Sequence, residues 1–446
     1  MLRNLGIQQP LWARVCRSCR ACGTHAPGAP WPAERFGDPS TRFAVRVTAL
    51  QHYCRLCSRA NCDRRGLLTI IRGVPSVSTS PGLLPCSHPR SVRLSVSPVH
   101  NAGSIVAVLH SGDLPTGLEE ITSPATLRTV TADELSSALP GADVLLVWDF
   151  LSDAVRPAWP AADALRWVHT ASAGVDRVAF PELLESEVVL TNSRGVFDVP
   201  MAEYVLGLVL AFAKDLPGTL RRQDRRRWEH RETERVAGRS AVVVGSGPIG
   251  RAVGRVLAAA GLRVELVGRV ERDGDPEFGT VHAAGALDGL LPVADFLVLA
   301  APLTEQTRGM IDAAALARMK PTARLINVSR GPLVVTEDLI AALADGRLAG
   351  AALDVFESEP LAESSPLWEL AGVIVSPHMS GDVLGWRDEL AALFADNLDR
   401  YRSGRPLRNV VDKARGYVTT DSATPDSVTT DSVTTETATP DSGSTA

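Results

Sequence analysis

Ala241-Val-Val-Val-Gly245-Ser-Gly247-Pro248-Ile249-Gly250 decides the fold. A four-residue apolar run leads straight into G-x-G-x-x-G, and the glycines open an amphipathic stretch read as a helix from Ile249 to Ala260, ended by Gly261. Each glycine has its own physical role. Gly245 permits the tight turn, Gly247 lets the backbone approach a pyrophosphate, and Gly250 allows close packing of helix on strand. Pro248 and Ile249 complete the loop, and the helix start offers N–H groups to phosphate. The next apolar run, Arg263 to Val267, supplies the second strand of such a unit. At its end a binder of unphosphorylated dinucleotide usually carries an acid for the ribose hydroxyls. Here the sequence reads Val267-Gly268-Arg269, so Arg269 is expected to pair with a 2′-phosphate. NAD(P)H is the expected cofactor, NADP favoured over NAD, with Glu271 or Asp273 as the alternative ribose partners.

The same alternation extends both ways. Upstream, Ser104–Leu109, Val144–Trp148, Arg166–His169 and Val188–Leu190 read as strands, with helices expected over Thr131–Leu139, Pro181–Glu185 and Met201–Lys214. Downstream, Phe296–Ala300, Leu325–Val328, Ala351–Leu353 and Val373–Val375 read as buried strands, and Trp386–Tyr401 as a helix returning to the first unit. Nearly continuous apolar strands separated by helices call for parallel sheets covered on both faces. The expected fold class is α/β, with two Rossmann-like parallel-sheet domains. A dinucleotide-binding domain (200–381) is inserted in a flavodoxin-like substrate domain (101–199 plus 382–416).

Composition is uneven along the 446 residues, and the formal charge of −5 is a sum over three unlike segments. Residues 1–100 hold 14 Arg, no Lys and three acids, and also all seven cysteines. Cys16, Cys19, Cys22, Cys54 and Cys57 have spacings that would suit zinc or iron–sulfur ligation, but neither set is completed by a fourth ligand at familiar spacing. No metal site is expected. An organelle transit peptide is a second reading of this head; disorder, or a start placed too far upstream, is favoured. Residues 417–446 carry five acids and no base in a Thr/Asp/Ser/Pro repeat, which predicts a disordered tail. The longest apolar run near the middle, Val205 to Ala213, is far short of the roughly 20 residues of a membrane helix. Neither a membrane nor a nucleic acid is an expected partner, and a cytoplasmic location is expected. The basic stretch Arg221-Arg-Gln-Asp-Arg-Arg-Arg-Trp228 reads as a solvated helix and loop.

Three polar residues each trail a predicted parallel strand: Arg330 in Asn327-Val-Ser-Arg-Gly331, Glu359 in Glu357-Ser-Glu-Pro360, and His378 after Val373-Ile-Val-Ser-Pro377. Open α/β sheets bind ligands at that edge. The trio suits hydride chemistry on an α-keto acid. An arginine fork grips carboxylate and keto oxygen, a histidine supplies the proton, and a carboxylate orients the imidazole.

These stretches, together with Ser172-Ala-Gly-Val-Asp176, Ala301-Pro-Leu-Thr-Glu-Gln-Thr-Arg-Gly309 and Ala352-Leu-Asp-Val-Phe-Glu-Ser-Glu-Pro-Leu361, run in a fixed order across roughly 101–416. In this the sequence resembles the D-isomer-specific 2-hydroxyacid dehydrogenases, among them glyoxylate, hydroxypyruvate and phosphoglycerate dehydrogenases. The resemblance implies Arg330 as substrate binder, Glu359 as support for the histidine and His378 as acid/base. It also implies Asp354 as holder of the nicotinamide carboxamide, backbone N–H groups of Ala173, Gly174 and Val175 as carboxylate binders, and Thr304 bordering the cofactor. It implies a homodimer joined through the cofactor domain and a small anionic 2-keto or 2-hydroxy acid as substrate, glyoxylate or hydroxypyruvate being expected. A dinucleotide-sensing, corepressor-like protein on the same fold is the alternative; the complete trio speaks against it.

Overall fold

A computed structural model describes residues 104–418. The expectations for the cysteine-rich head, and for the tail beyond Val418, lie outside the described residues.

The first sheet contains β1 (Ile105–Leu109), β2 (Thr126–Val130), β3 (Val144–Val147), β4 (Trp167–Thr170) and β5 (Val189–Asn192), all parallel, in the order β2-β1-β3-β4-β5. Every residue of β3 and β4 is buried, as a parallel strand covered on both faces requires. β2 is not among the expected strands. Its sequence, Thr-Leu-Arg-Thr-Val, sits at the sheet edge half in water, so it lacks the apolar run of the inner strands. The helix expected over Thr131–Leu139 is confined to Leu135–Ala138.

The second sheet holds β6 (Ser240–Val244), β7 (Arg263–Gly268), β8 (Arg272–Asp275), β9 (Gly279–Ala283), β10 (Phe296–Leu299), β11 (Arg324–Asn327), β12 (Gly350–Leu353) and β13 (Val373–Val375). Its order is β13-β12-β11-β10-β6-β7-β9-β8. All pairs are parallel except β8 with β9, a polar edge hairpin that apolar periodicity does not announce. The chain leaves β6 toward β7 and β9 on one side and toward β10 to β13 on the other, so the topological switch point lies between β6 and β10.

Five helices have nine residues or more among the described residues: α1 (Asp198–Ala213), α2 (Leu216–Asp224), α3 (Pro248–Ala259), α4 (Thr336–Ala344) and α5 (Trp386–Arg402). Ala202, Val205 and Val209 of α1 pack with Val253 and Leu257 of α3 on one face of the second sheet. α5 returns to the first sheet, where Phe394 stacks on Trp167 at 5.5 Å. The chain beyond α5 then lies antiparallel beside β5, through a Thr191–Val410 bridge and Val411 N–H bonded to Leu190 O, and covers that edge. Tyr417 bridges to Asp412, so the fold extends into the first residues assigned to the tail.

His169 on β4 is buried within a directed hydrogen-bond chain. Ser193 Oγ gives its proton to Thr170 O, so it can only accept from His169 Nε2 at 3.4 Å. Thr191 Oγ1 accepts from Trp167 Nε1 at 2.8 Å and lies 2.7 Å from His169 Nδ1, where its own proton completes the chain. Burial pushes the imidazole pKa down to about 3. Between pH 6.5 and that value the unfolded chain takes up a proton that the folded chain refuses, so the stabilisation present above pH 6.5 is lost on acidification. As pH falls from about 6.5 to 5, the loss of unfolding free energy from this residue should steepen from about 0.7 to about 1.3 kcal/mol per pH unit. Denaturant titrations of His169→Gln should lack that component, and a slope equal to wild type would overturn the assignment.

Candidate active site

The register of the second sheet brings its strand ends into line. Val267 pairs with Val244, Val244 with Leu299, Leu299 with Asn327, Asn327 with Leu353, and Leu353 with Val375. The loops leaving these strands therefore emerge at one edge. Gly245 comes directly after β6, Arg330 lies three residues past β11, Asp354 comes directly after β12, and His378 lies three residues past β13.

At the switch point Gly245 adopts φ +128°, and a Cβ there would fall 2.4 Å from Ala300 O. A Cβ on Gly250 would fall 1.7 Å from Gly245 O. Neither position accepts a side chain. Gly247 differs: a Cβ there would meet no atom within 4 Å, and the residue caps the start of α3, with Pro248 at the first helical position. The first turn of a helix carries N–H groups without intrahelical partners. That open approach to a helix N-terminus fits a dinucleotide pyrophosphate.

Beyond β7, Arg269 is exposed, as are Glu271 and Asp273. The β8–β9 hairpin, absent from the sequence expectations, adds Arg272, whose Nη2 donates to Ser246 Oγ of the glycine loop at 3.0 Å. Two guanidinium groups thus stand where the sequence reading has one. Thr304 forms a turn in which its N–H donates to Thr307 Oγ1 at 2.8 Å.

His378 Nδ1 and Glu359 Oε2 lie 2.8 Å apart. The other carboxylate oxygen accepts from Phe356 N–H at 2.9 Å. Burial raises the Glu359 pKa, but the bonds from His378 and Phe356 and the nearby positive charge of Arg330 outweigh it, so the carboxyl titrates below its ordinary value. His378 has φ +53°, a left-handed conformation uncommon for a side chain of this size. Asp354 enforces it. Its carbonyl accepts His378 N–H at 2.8 Å, its Oδ1 accepts from Ser376 Oγ at 2.6 Å and Met379 N–H at 2.9 Å, and its Oδ2 accepts from Ser380 N–H at 2.8 Å. Phe150, just past β3, stands edge-on to the imidazole at 6.5 Å.

Arg330 reaches the first lobe. Its Nε donates to Asp176 Oδ1 and Oδ2 at 2.9 and 3.1 Å, and its Nη1 to Ser329 O at 2.8 Å. A Cβ on Gly331 would collide with the Phe356 carbonyl carbon at 1.9 Å, so the loops carrying Arg330 and Glu359 touch backbone to backbone.

The segment Ser172–Val175 lies just past β4. Ser193 N–H binds Ser172 O at 2.9 Å, Asn192 Nδ2 binds Ala173 O at 2.6 Å, and Ser172 Oγ binds Gly174 O at 2.6 Å. Val175 O accepts from Val178 and Ala179. The carbonyls are thus consumed within the lobe, while the N–H groups of Ala173, Gly174 and Val175 form no hydrogen bond among the described residues. Such a run of N–H groups is an anion-binding arrangement. Phe150, Asp176 and Arg272 contact His378, Arg330 and Ser246, and the sequence reading does not single them out. Asp176 closes the quoted Ser172–Asp176 stretch, but its partner lies 154 residues away.

No group of three or more His, Cys, Asp or Glu among the described residues could hold a metal ion, and no helix among them is long and apolar enough to cross a membrane.

Residues 206–380 match the family described as D-isomer specific 2-hydroxyacid dehydrogenase, NAD binding domain. A glyoxylate reductase of Korarchaeum cryptofilum is 34% identical over 260 residues, which is 57% of this chain and 78% of that one. A D-isomer specific 2-hydroxyacid dehydrogenase from Xanthobacter autotrophicus Py2, solved with NADPH, superposes with a TM-score of 0.61 at 31% identity, over 70% of this chain and 100% of that one. The NADPH-dependent glyoxylate/hydroxypyruvate reductase of Sinorhizobium meliloti, solved with NADP and sulfate, gives 0.61 at 29% identity with the same coverage. The chain belongs to the D-isomer specific 2-hydroxyacid dehydrogenase family.

Proposed function

We propose that this NAD(P)-dependent oxidoreductase reduces a small 2-keto acid to the D-2-hydroxy acid, with NADPH as the preferred donor and glyoxylate or hydroxypyruvate as substrate. Residues 101–199 plus 382–416 are the substrate domain and 200–381 the dinucleotide-binding domain. The observation that carries this reading is the pairing of His378 with Glu359 at the strand edge where Arg330 meets the Ala173–Val175 segment.

The cofactor's pyrophosphate is assigned to Gly245, Gly247, Pro248, Ile249 and Gly250 at the start of α3, its 2′-phosphate to Arg269 and Arg272, and its edge to Thr304. A carboxylate offers about four acceptor positions. Asp354 uses three, and the remaining one is assigned to the nicotinamide carboxamide. When bound, NAD(P)H supplies a hydride.

This chain's residues do the rest. The free N–H groups of Arg330 and those of Ala173, Gly174 and Val175 hold the substrate carboxylate. Glu359, ionised at neutral pH, holds the proton on His378 Nδ1 and leaves Nε2 to deliver one to the keto oxygen. In the oxidative direction Nε2 receives it. Homodimerisation through the cofactor lobe is supported by Leu216 and Leu220 of α2 and by Trp228, all three exposed on one continuous stretch that also carries the basic run.

A steady-state panel of glyoxylate, hydroxypyruvate, pyruvate and a bulkier keto acid, each with NADH and NADPH, tests this reading. No turnover of any acid would favour the dinucleotide-sensing alternative. His378→Ala should lower kcat by about 1,000-fold, within the usual range for a lost general acid, with NADPH affinity nearly unchanged; normal turnover would sink the reading. Replacing Arg269 and Arg272 together by Ala should raise the KM for NADPH about 10-fold or more, as expected for lost charge-assisted contacts. The KM for NADH should barely move, and equal effects on both cofactors would remove the 2′-phosphate assignment.

A further inference from the structure

We infer that Asp176 is a positioning residue that aims the Arg330 guanidinium at the substrate segment from the opposite lobe, an inference that rests on the proposed role of Arg330. An arginine side chain is long and rotamer-rich, and its planar fork is useful only when one edge is fixed and another is free. Here the fixed edge is Nε, held by both oxygens of Asp176 at 2.9 and 3.1 Å, and Nη1 is tied to Ser329 O. Nη2 is left above Gly174, so near that a Cβ on Gly174 would fall 2.0 Å from it and 2.8 Å from Asp176 Oδ1. Ion pair and glycine therefore share one space. The guanidinium can lie against Gly174 only because that residue has no side chain and Asp176, two residues on, provides the anchor. Both partners are shielded, with side chains 24% and 19% exposed, so the pair is far less screened than a surface ion pair.

A second carboxylate explains why an anchor is needed. Arg330 lies near enough to Glu359 to help lower its pKa. An unanchored guanidinium beside that carboxylate would compete with His378 for it, and the acid/base pair and the substrate grip would degrade together. Arg177, the neighbouring cation, is engaged elsewhere, with its Nη1 bound to Asp153 Oδ2 at 2.6 Å. Asp176 thus occupies one edge of Arg330 and keeps the other pointed at substrate.

A double-mutant cycle on the full chain, assayed as keto-acid-dependent NADPH oxidation, tests this. Asp176→Ala should lower kcat/KM for the keto acid about 30-fold, within the range of coupling between contacting charged groups. The KM for NADPH should stay close to wild type. Asp176→Asn, whose amide oxygen can still accept from Nε, should recover most of the loss. In an Arg330→Ala background the same Asp176→Ala change should alter kcat/KM by less than about 3-fold, because its target is gone. An undiminished loss in that background, or no rescue by Asn, would overturn the inference and leave the proposed function standing. Wild-type kcat/KM in Arg330→Ala alone would instead overturn the role of Arg330 and this inference with it.

Discussion

Parallel strands in step place all their carboxyl ends on one line, and the glycine loop and the Arg330, Asp354 and His378 turns all hang from that line. From Val267 across Val244, Leu299, Asn327 and Leu353 to Val375, the second sheet ends level. The glycine loop, the Arg330 turn, the Asp354 turn and the His378 turn are consecutive departures from one edge. A slip of one residue in any pairing would turn that strand's side chains to the opposite face. β6, β10 and β12 are fully buried, so a slip there would have to repack both close-packed faces at once.

On this frame the site is assembled from charges and backbone groups assigned in advance. Three acceptor positions of the Asp354 carboxylate hold Ser376–Ser380, and its carbonyl holds the left-handed backbone of His378. Glu359 is consumed by His378 and Phe356. Strained φ values persist only where the surroundings over-determine them, and the bonds from Asp354 do that at His378. Few side chains in the site have a choice of partner, which is the condition for electrostatic preorganisation.

Much of this is legible in the sequence, for identifiable reasons. Inner strands such as Ala241–Val244 and Phe296–Leu299 announce themselves because both faces are buried, and Gly245 and Gly250 because no other residue fits there. Arg330, Glu359 and His378 can be read because each trails a recognisable strand. The edge strands β2 and β8 cannot, since half-solvated polar strands carry no apolar run. With β8 goes Arg272, which reaches Ser246 only through the hairpin. Asp176 is in view but mute, because its meaning is a contact between two sheets far apart in the chain. The short helix in place of Thr131–Leu139 is a boundary error, the turn before it reading as helical.

The chain passes between the two lobes at two places, once from β5 into α1 and once from β13 into α5. These passages touch: a Cβ on Gly381 would lie 2.7 Å from Phe197 Cδ1 and 3.5 Å from Met201 Cγ. A side chain at position 381 would press on the other crossing, so the place where the two crossings meet depends on the absence of a Cβ there.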